Sequence, residues 1–589
     1  MIKEIKKTIL ALLVFPVAVW GATFNFPGSG GDLAGNGPDG WNGTPPGAED
    51  VVALKSAGVY TLSSDITFYQ LYTGADGIIL RFGPKRLTIT RSIYGTAANA
   101  TITYDGGTFN LSGSGNFSPA QADVTGASAI VTNGCVVTNV SMFNVTSYAS
   151  LSRTVVAGGS RIYSSNVNVS HQGGSGNRLE IVDGAQVHVD EGVAFGGSGG
   201  TPTANRGSCI LVSGVGSLLH QKGGTSSNPY YIRIGNRFED DSFIITDGAS
   251  VLSDFGGVKL EMQGSELTVE NGAVAILPRV YFSGSGNRAT ISNAAFTNAT
   301  AFSMAYTANE ALHNPAGRSN NVFRATGPNA SVSIRGPDFF GTGHHNVIRV
   351  EDGAQLQQAS SLTEFMSQTC NSKFLVSGSG TSVGKTNSPI YVAQQSSAGA
   401  VNSVSNIISV ADGATLLAVR MYLMGVGNEL SISNGTVEIT GQSMLGFSVG
   451  SRTSGTTDTN NMVTLSGEAP KLKILTDYMP FRLCGGTTLR IRVPKDGYAR
   501  GYVPIDLACN FEMDSSSTLV LDCDEWAAQT GGTLHLIRAK AFADNFDPSG
   551  TTVARLEATS LPPDCRLVVS SGSVYLKCPR RKGMIISFK

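Results

Sequence analysis

Residues 176–189 read Gly-Asn-Arg-Leu-Glu-Ile-Val-Asp-Gly-Ala-Gln-Val-His-Val. Apolar residues alternate with polar ones on both sides of Asp183-Gly184, and such alternation is typical of half-buried β-strands. Asp or Asn followed by Gly readily adopts the positive φ that a sharp corner requires. The stretch therefore predicts two short strands joined by a tight corner.

The same pattern returns along much of the chain. Strand, Asp/Asn-Gly and strand follow one another at 179–189, 243–251, 267–277, 347–356, 407–416 and 430–439. Many copies open on Gly-x-Gly-Asn or Asn-Arg, as at Asn177, Asn236, Asn287 and Asn428. A second pattern, a strand ending in Val-Ser-Gly-x-Gly, occurs at 210–216 and 374–380. The shortest steps between turns match one β-solenoid coil of roughly 20 to 25 residues.

Two arrangements of these strands compete. Asp-Gly between alternating strands is also the strongest β-hairpin pattern, and a string of hairpins would give a sandwich or a meander. The turn, however, lies inside a longer self-similar period, and no second apolar face is evident for a partner sheet. We therefore predict an all-β fold, a right-handed parallel β-helix or β-solenoid over 51–475. It would have roughly 18 to 20 coils stacked about 4.8 Å apart.

Composition agrees with an elongated repeat. The chain has 589 residues, more than one compact core usually holds, and 72 of them are glycine. Charged residues make up only 14%, so the Glu, Lys and Arg that normally cover helical surfaces are scarce. The net charge of −1 gives no general argument for nucleic-acid binding.

The N-terminus has the features of a targeting segment. Three lysines precede an apolar run from Ile9 to Trp20, and small residues follow at 21–22. A membrane anchor is the alternative, but the run is short for a span. We expect a signal peptide at 1–22, an exported mature chain without an integral membrane segment, and a flexible Gly/Pro-rich stretch at 23–50.

The C-terminal part, 476–589, is expected to form a separate cap of antiparallel hairpins. Cys565 and Cys578 would face each other across one hairpin, and Cys509 and Cys523 across another. An exported chain favours disulfides at these two pairs. The alternative is that each cysteine is a small buried residue at the end of a strand.

The Gly-x-Gly-Asn-x-Leu-x-Ile-x-Asp/Asn-Gly-Ala-x-Val repeats resemble the repeat regions of bacterial autotransporter passengers and related surface proteins. The resemblance covers about 50–475 and implies a β-helical, exported and often adhesive protein. Autotransporters end in a translocator barrel that needs some 250 residues, whereas about 110 follow the repeats here. Self-translocation is therefore not expected.

Parallel β-helices also include pectin-cleaving enzymes, whose chemistry needs paired carboxylates with a nearby histidine and basic pair. Asp240-Asp241 and His344-His345 are the only similar groups, and they lie far apart in the sequence. Glu239, Asp240 and Asp241 could bind Ca²⁺, or form a solvated acidic loop. The two histidines are unlike a metal site, because neighbouring strand residues point to opposite faces.

No Gly-x-Ser-x-Gly elbow, P-loop or zinc-protease helix occurs, so no catalytic or cofactor-binding residue is predicted. The sequence thus favours an exported bacterial surface protein, non-enzymatic, with an adhesive or structural role. The alternative is a polysaccharide-binding or polysaccharide-cleaving, pectin lyase-like β-helix protein. The expected partner is a surface or polysaccharide ligand of unknown identity.

Overall fold

The computed structural model describes residues 22–579 except for 37–38, 113–114, 119–124, 147–149, 171–173, 196–206, 226–228, 236–238, 262, 305–318, 335–342, 359–363, 366–369, 385–389, 393–403, 442–446, 450–458, 478–479, 530, 544–557, 560 and 571. The predicted signal peptide therefore lies outside the described residues, apart from Ala22. No helix in the described ranges is long and apolar enough to cross a membrane.

The described chain winds as a parallel β-helix with three faces, which we number in the order that each coil visits them. Face 1 is an open ladder of 20 parallel strands. Its strands are Gly31–Asp32, Gly58–Thr61, Ile78–Leu80, Thr101–Asp105, Ser128–Thr132, Arg153–Val156, Arg178–Ile181, Cys209–Ser213, Ser242–Thr246, Glu266–Glu270, Arg288–Ser292, Val322–Thr326, Val347–Glu351, Lys373–Ser377, Ile407–Ala411, Glu429–Ser433, Met462–Ser466, Thr488–Arg492, Thr518–Asp522 and Ala558–Thr559.

Face 2 follows face 1 across a tight corner. Its strands are Thr108–Leu111, Gln186–Val189, Leu218–Gln221, Ser250–Ser253, Val274–Ile276, Ala295–Asn298, Ser331–Ile334, Gln355–Gln358, Ser382–Gly384, Thr415–Ala418, Thr436–Ile439, Lys471–Ile474, Ile505–Leu507 and Gly532–Arg538. Four longer strands run through faces 2 and 3 together: Ile66–Thr73, Arg86–Gly95, Val136–Asn144 and Arg161–Asn168.

Face 3 completes the coil and is described in two ladders. The first contains Thr23–Asn25, Val51–Leu54, Asn116–Ser118, Val193–Ala194, Ile232–Ile234, Gly257–Leu260, Arg279–Phe282 and Ala301–Ser303. The second contains Glu364–Phe365, Ile390–Val392, Met421–Leu423, Phe447–Val449, Phe481–Leu483, Phe511–Met513 and Phe542–Ala543.

Alternate residues of each strand point into a single apolar core. Leu179 and Ile181 are fully buried and stack on Ile210 and Val212 of the next coil. Burying an aliphatic side chain of this size stabilises the folded state by about 1.5 to 3 kcal/mol. Like residues above and below one another thus fill the interior along the whole stack.

The corner between faces 1 and 2 has the predicted conformation. The Ala185 N–H donates a hydrogen bond to the Val182 carbonyl (3.1 Å), and φ is 53° at Asp183 and 74° at Gly184. Two central residues with positive φ are the mark of a type I′ turn. The flanking strands nevertheless pair with neighbouring coils, not with each other, so the hairpin alternative is wrong for this stretch.

Coil length varies more than the short sequence period indicated. Glu266 pairs with Arg288, 22 residues along the chain, whereas Arg288 pairs with Val322, 34 residues along. Sixteen face 1 strands consequently begin within 51–475, fewer than the 18 to 20 coils predicted. The extra residues lie outside the paired strands, so coils of different length keep the same stacking.

The N-terminal stretch 23–50 contributes to the stack instead of forming only a loop. Phe26, Leu33 and Trp41 are buried, and the rings of Phe26 and Trp41 pack edge to face with centroids 4.9 Å apart. Phe26 also packs against Tyr60 in the following coil. These side chains cover the apolar end of the first coils, which would otherwise be exposed.

Parallel pairing continues past the domain boundary expected at 475/476. Lys471–Ile474 pairs with Ile505–Leu507, and Thr488–Arg492 pairs with Thr518–Asp522. The hairpin predicted around Ser516 is not formed, because the strands on either side of it lie on faces 3 and 1. Asp514 Oδ1 accepts the N–H groups of Ser516 (3.1 Å) and Ser517 (2.8 Å), which turns the chain at a coil corner.

The small antiparallel region is confirmed at the C-terminal end. Arg566–Ser570 and Ser573–Cys578 form a hairpin in the predicted register, with Val569 opposite Val574. The second strand also pairs antiparallel with Gly532–Arg538. A short helix, α1, spans Asp524–Gln529.

Candidate functional site

A row of buried polar side chains runs along the inside of the corner that precedes face 1. Each member directly precedes a face 1 strand and is at most 1% exposed. We call this row the polar ladder: Ser152, Asn177, Ser208, Asp241, Ser265, Asn287, Asn321, Asn346, Ser372, Asn406, Asn428 and Asn461.

Side-chain oxygens connect the polar ladder from coil to coil. Ten bonds of 2.8 to 3.4 Å run from the backbone N–H of one member to the side-chain oxygen of the next. Asn321 shows the full arrangement, because its Oδ1 accepts the Asn287 N–H and its Nδ2 donates to the Gly284 and Met304 carbonyls. Buried backbone groups are thereby satisfied where no strand could pair them.

The acidic residues at 239–241 lie in different environments. Asp240 lies at the exposed corner with φ 59°, whereas Asp241 is fully buried as a member of the polar ladder. No group of three or more His, Cys, Asp or Glu side chains converges as metal ligands within the described residues. Calcium binding by Glu239, Asp240 and Asp241 therefore stays a prediction of the sequence alone.

Asp241 carries a carboxyl group at a position where seven of the twelve members of the polar ladder carry an amide. Its Oδ1 accepts the Ser208 N–H at 2.9 Å, and its Oδ2 is buried without a hydrogen-bond partner. Burial raises the pKa of Asp241 to about 7, and the nearby Asp240 charge acts in the same direction. A protonated Asp241 therefore fits the interior better than an ionised one.

His344-His345 also occupies a corner. His345 has φ 57° and directly precedes Asn346 of the polar ladder, so it stands where Gly176 stands in the opening stretch. His344 forms isolated backbone bridges with Ser319 and Cys370 of the neighbouring coils. The pair is thus part of the coil geometry.

The cysteines behave differently at the two predicted pairs. Cys565 and Cys578 form a disulfide across the confirmed hairpin. Cys509 and Cys523 are both buried and free. Burial raises the pKa of each thiol, to about 11 for Cys523. The parallel coils separate these two cysteines because they flank a corner and not a hairpin.

The outer surface of face 2 carries a second row of stacked side chains. Tyr163, His188 and His220 stand in register on three successive coils, and we call them the ring stripe. The ring centroids of Tyr163 and His188 are 4.9 Å apart with planes 8° from parallel. His220 meets His188 edge to face, with centroids 5.8 Å apart.

Charged side chains along the ring stripe are largely paired. His220 Nε2 lies 3.0 Å from Asp254 Oδ1, and Lys222 Nζ lies 2.6 Å from Asp190 Oδ1. Partial burial lowers the pKa of His188, and the neighbouring positive groups lower it further. Both effects favour the neutral form of His188, whose ring stacks on that of Tyr163.

An open groove of about 520 Å³ adjoins Tyr163. It lies where the register between Val136–Asn144 and Arg161–Asn168 shifts, so that one strand has an extra residue. Asn139, with φ 58°, is at this bulge, and its Nδ2 donates to Asn110 Oδ1 at 2.7 Å. The groove is lined by Leu111, Ser112, Asn139, Val140, Ser141, Tyr163, Ser164, Ser165 and Asp190.

Neither the polar ladder nor the ring stripe was predicted from the sequence. The recurring Asn at 177, 287 and 428 was visible at the start of the repeats, but its burial was not. The ring stripe leaves no such trace, because its members are 25 and 32 residues apart and align only when coils of unequal length stack.

Comparison with known proteins adds no relative. No protein-family model, no curated protein and no solved structure matches this chain. The choice among functions therefore depends on the geometry of the coils and of the two rows of side chains.

Proposed function

We propose that the protein is an exported, non-enzymatic surface protein whose β-helix is a rigid scaffold for adhesion through the ring stripe. One observation carries the proposal: ring side chains in register project outward from successive coils beside an open groove. Aromatic rings give large contact area at low entropic cost, which favours them at binding surfaces.

The positions of the acid and histidine pairs support a non-enzymatic role. Asp241 is enclosed in the polar ladder and His345 forms a corner four coils away. Four coils correspond to about 19 Å along the stack. Groups that act on one bond must all lie within hydrogen-bond reach of the reacting atoms, so Asp241 and His345 cannot act together.

Polysaccharide binding is the second candidate function. The specific observation that favours it is the groove, which joins an aromatic ring to neutral polar side chains and one carboxylate. Pockets for small ligands commonly combine an apolar surface with a few polar groups that fix orientation.

Adhesion can be tested with beads that carry the purified protein. We expect these beads to be retained under flow on at least one coated surface from a panel of polysaccharides, glycoproteins and matrix proteins. The variant His188→Ala should lose most of this retention. No reducing or unsaturated sugar ends should be released from any polysaccharide. Equal retention of His188→Ala beads, or sugar release, would contradict the proposal.

A further inference from the structure

The groove beside Tyr163 is elongated across the coils. Its lining comes from four successive coils, represented by Ser112, Asn139, Tyr163 and Asp190. Four coils at the strand spacing of about 4.8 Å extend over roughly 14 Å from the first to the last. A ligand that fills the groove along this direction is a chain of several units.

The side chains around the groove suit a sugar chain. The Tyr163 side chain is 39% exposed, so part of its ring is open for packing against a ligand. A sugar ring has an apolar C–H surface that can pack on an aromatic ring, while its hydroxyl groups donate to carboxylates and accept from amides. Asp190 and Asn139 supply these two kinds of polar group at the groove.

The charges around the groove favour an uncharged sugar chain as the ligand. The cation nearest to the groove carboxylate, Lys222, is already paired with Asp190 at 2.6 Å, and His220 is paired with Asp254. Arg161 lies two residues before Tyr163 on its strand, away from the part of that strand that lines the groove. An acidic polysaccharide would bring its charges next to Asp190 without an unpaired cation among the groove-lining residues.

We propose that the groove beside Tyr163 binds a neutral polysaccharide, with the chain lying across successive coils and one sugar ring packed on Tyr163. This rests on the proposed adhesive function and names the ligand of the same surface. The bulge at Asn139 opens the groove, and the carboxylate of Asp190 fixes the orientation of the hydroxyl groups.

Affinity electrophoresis in native gels tests the proposal. Separate gels contain galactomannan, dextran or a mixed-linkage β-glucan as neutral probes, polygalacturonate as an acidic probe, or no polymer. We expect at least one neutral polymer to retard the protein. Tyr163→Ala should need at least a tenfold higher polymer concentration for the same retardation.

Tyr94→Ala is the matched control. Tyr94 also points outward and stacks on a neighbouring ring, that of Tyr72 at 5.9 Å, but it does not line the groove. Its removal should leave the retardation unchanged. Ser141→Trp, which fills the groove while keeping Tyr163, should abolish retardation and covers the case in which Tyr163→Ala does not fold.

The outcomes separate the two proposals. Retardation by polygalacturonate alone, or unchanged retardation of Tyr163→Ala and Ser141→Trp, overturns the neutral-polysaccharide site. If no gel retards the protein, but beads are retained on a protein-coated surface and His188→Ala abolishes that retention, the polysaccharide ligand is wrong and the adhesive function stands. No retardation and no bead retention on any surface overturn both.

Discussion

The polar ladder and the ring stripe are built by the same stacking but have opposite surroundings. Ladder members are at most 1% exposed, and side chains such as those of Asn321 and Asn346 bond to the backbone of adjacent coils. Tyr163 of the ring stripe is 39% exposed and borders a groove. Polar side chains that repeat inside the β-helix therefore stabilise the coils, whereas rings that repeat on its outer surface are available for binding. Substitutions in the polar ladder should reduce stability, and substitutions in the ring stripe should reduce binding.

The largest expected effect is in the polar ladder. Asn321→Ala leaves the Asn287 N–H and the Gly284 and Met304 carbonyls without the partner that Asn321 supplies. A buried polar group without its partner costs about 1 to 3 kcal/mol, so we expect a loss of about 5 kcal/mol in the free energy of unfolding. Urea denaturation followed by circular dichroism measures it.

Asn321→Ser is the matched control for this variant. Ser372 occupies an equivalent position and accepts the Asn346 N–H through Oγ, so a serine can keep one bond of the polar ladder. We expect a loss of about 2 kcal/mol, clearly smaller than that of the alanine variant. If the two variants were equally stable, hydrogen bonding in the polar ladder would not be the cause.

Asp241→Asn should stabilise the protein in a pH-dependent way. The pKa of Asp241 rises from 3.8 to about 7 on folding, so the folded state loses stability as pH rises through that interval. The amide removes this penalty. We expect a gain approaching about 4 kcal/mol at pH 8 and almost none at pH 4 or below, because a tenfold change in ionisation constant corresponds to about 1.4 kcal/mol.

Asp240→Asn provides the control for Asp241→Asn. It removes the same charge from the neighbouring exposed corner and retains a residue type that tolerates its φ of 59°. Thermal melts from pH 4 to pH 8 should show a change within about 0.5 kcal/mol of the original protein at each pH. A gain from Asp241→Asn that was equal at pH 4 and pH 8 would contradict the explanation by burial.

The C-terminal disulfide should give a smaller and more local effect. Cys565 and Cys578 are 13 residues apart, and closing a loop of this size stabilises by about 3 kcal/mol. Cys565→Ser should therefore expose the terminal hairpin to proteolysis before the coils unfold, whereas Cys523→Ser should not.

Thiol titration in denaturant without reductant checks the cysteine pairing directly. With eight cysteines and one disulfide, six thiols should react. Four reactive thiols would indicate a second disulfide, for which Cys509 and Cys523 would be the pair to test by substitution, and eight would contradict the Cys565–Cys578 disulfide.

The least effect on stability is expected at the ring stripe. The His188 side chain is only partly buried, and its hydrogen bond is to the side chain of Gln186 on the same strand, so His188→Ala should change the free energy of unfolding by less than about 1 kcal/mol. His188 does not line the groove, but its ring stacks on that of Tyr163 at 4.9 Å and holds it in place. We therefore expect His188→Ala to lose about tenfold in polysaccharide affinity, which is about 1.4 kcal/mol of binding and is measured by affinity electrophoresis.

Strands and corners, which depend on residues adjacent in the sequence, were predicted correctly. Alternation identified strands such as Arg178–Ile181, and Asp183, Asp247 and Asn271 adopt the positive φ expected of Asp/Asn-Gly corners. Burial of Asn321 and the alignment of Tyr163 with His188 depend on which residues meet between coils. Coil lengths on face 1, which run from 20 residues between Gly58 and Ile78 to 39 between Leu519 and Ala558, determine which residues stack, and no local pattern encodes them.

The same limit explains the error at Cys509 and Cys523. Their symmetric spacing about Ser516 suits a hairpin, but the strands on either side are already paired with other coils. At Cys565 and Cys578 the described part of the chain contains no further coil, and the predicted hairpin forms. A local hairpin pattern therefore predicted which strands pair only at the C-terminal end of the stack, although local patterns did predict strands and corners within it.

Denaturation and polysaccharide retardation, measured side by side on Asn321→Ala and His188→Ala, test whether the polar ladder stabilises the coils and the ring stripe binds the ligand. We predict that Asn321→Ala loses several kcal/mol of stability and, while folded, is retarded like the original protein. His188→Ala should melt normally and lose retardation. If His188→Ala instead lost as much stability as Asn321→Ala and kept its retardation, the ring stripe would be structural and would not be the binding surface.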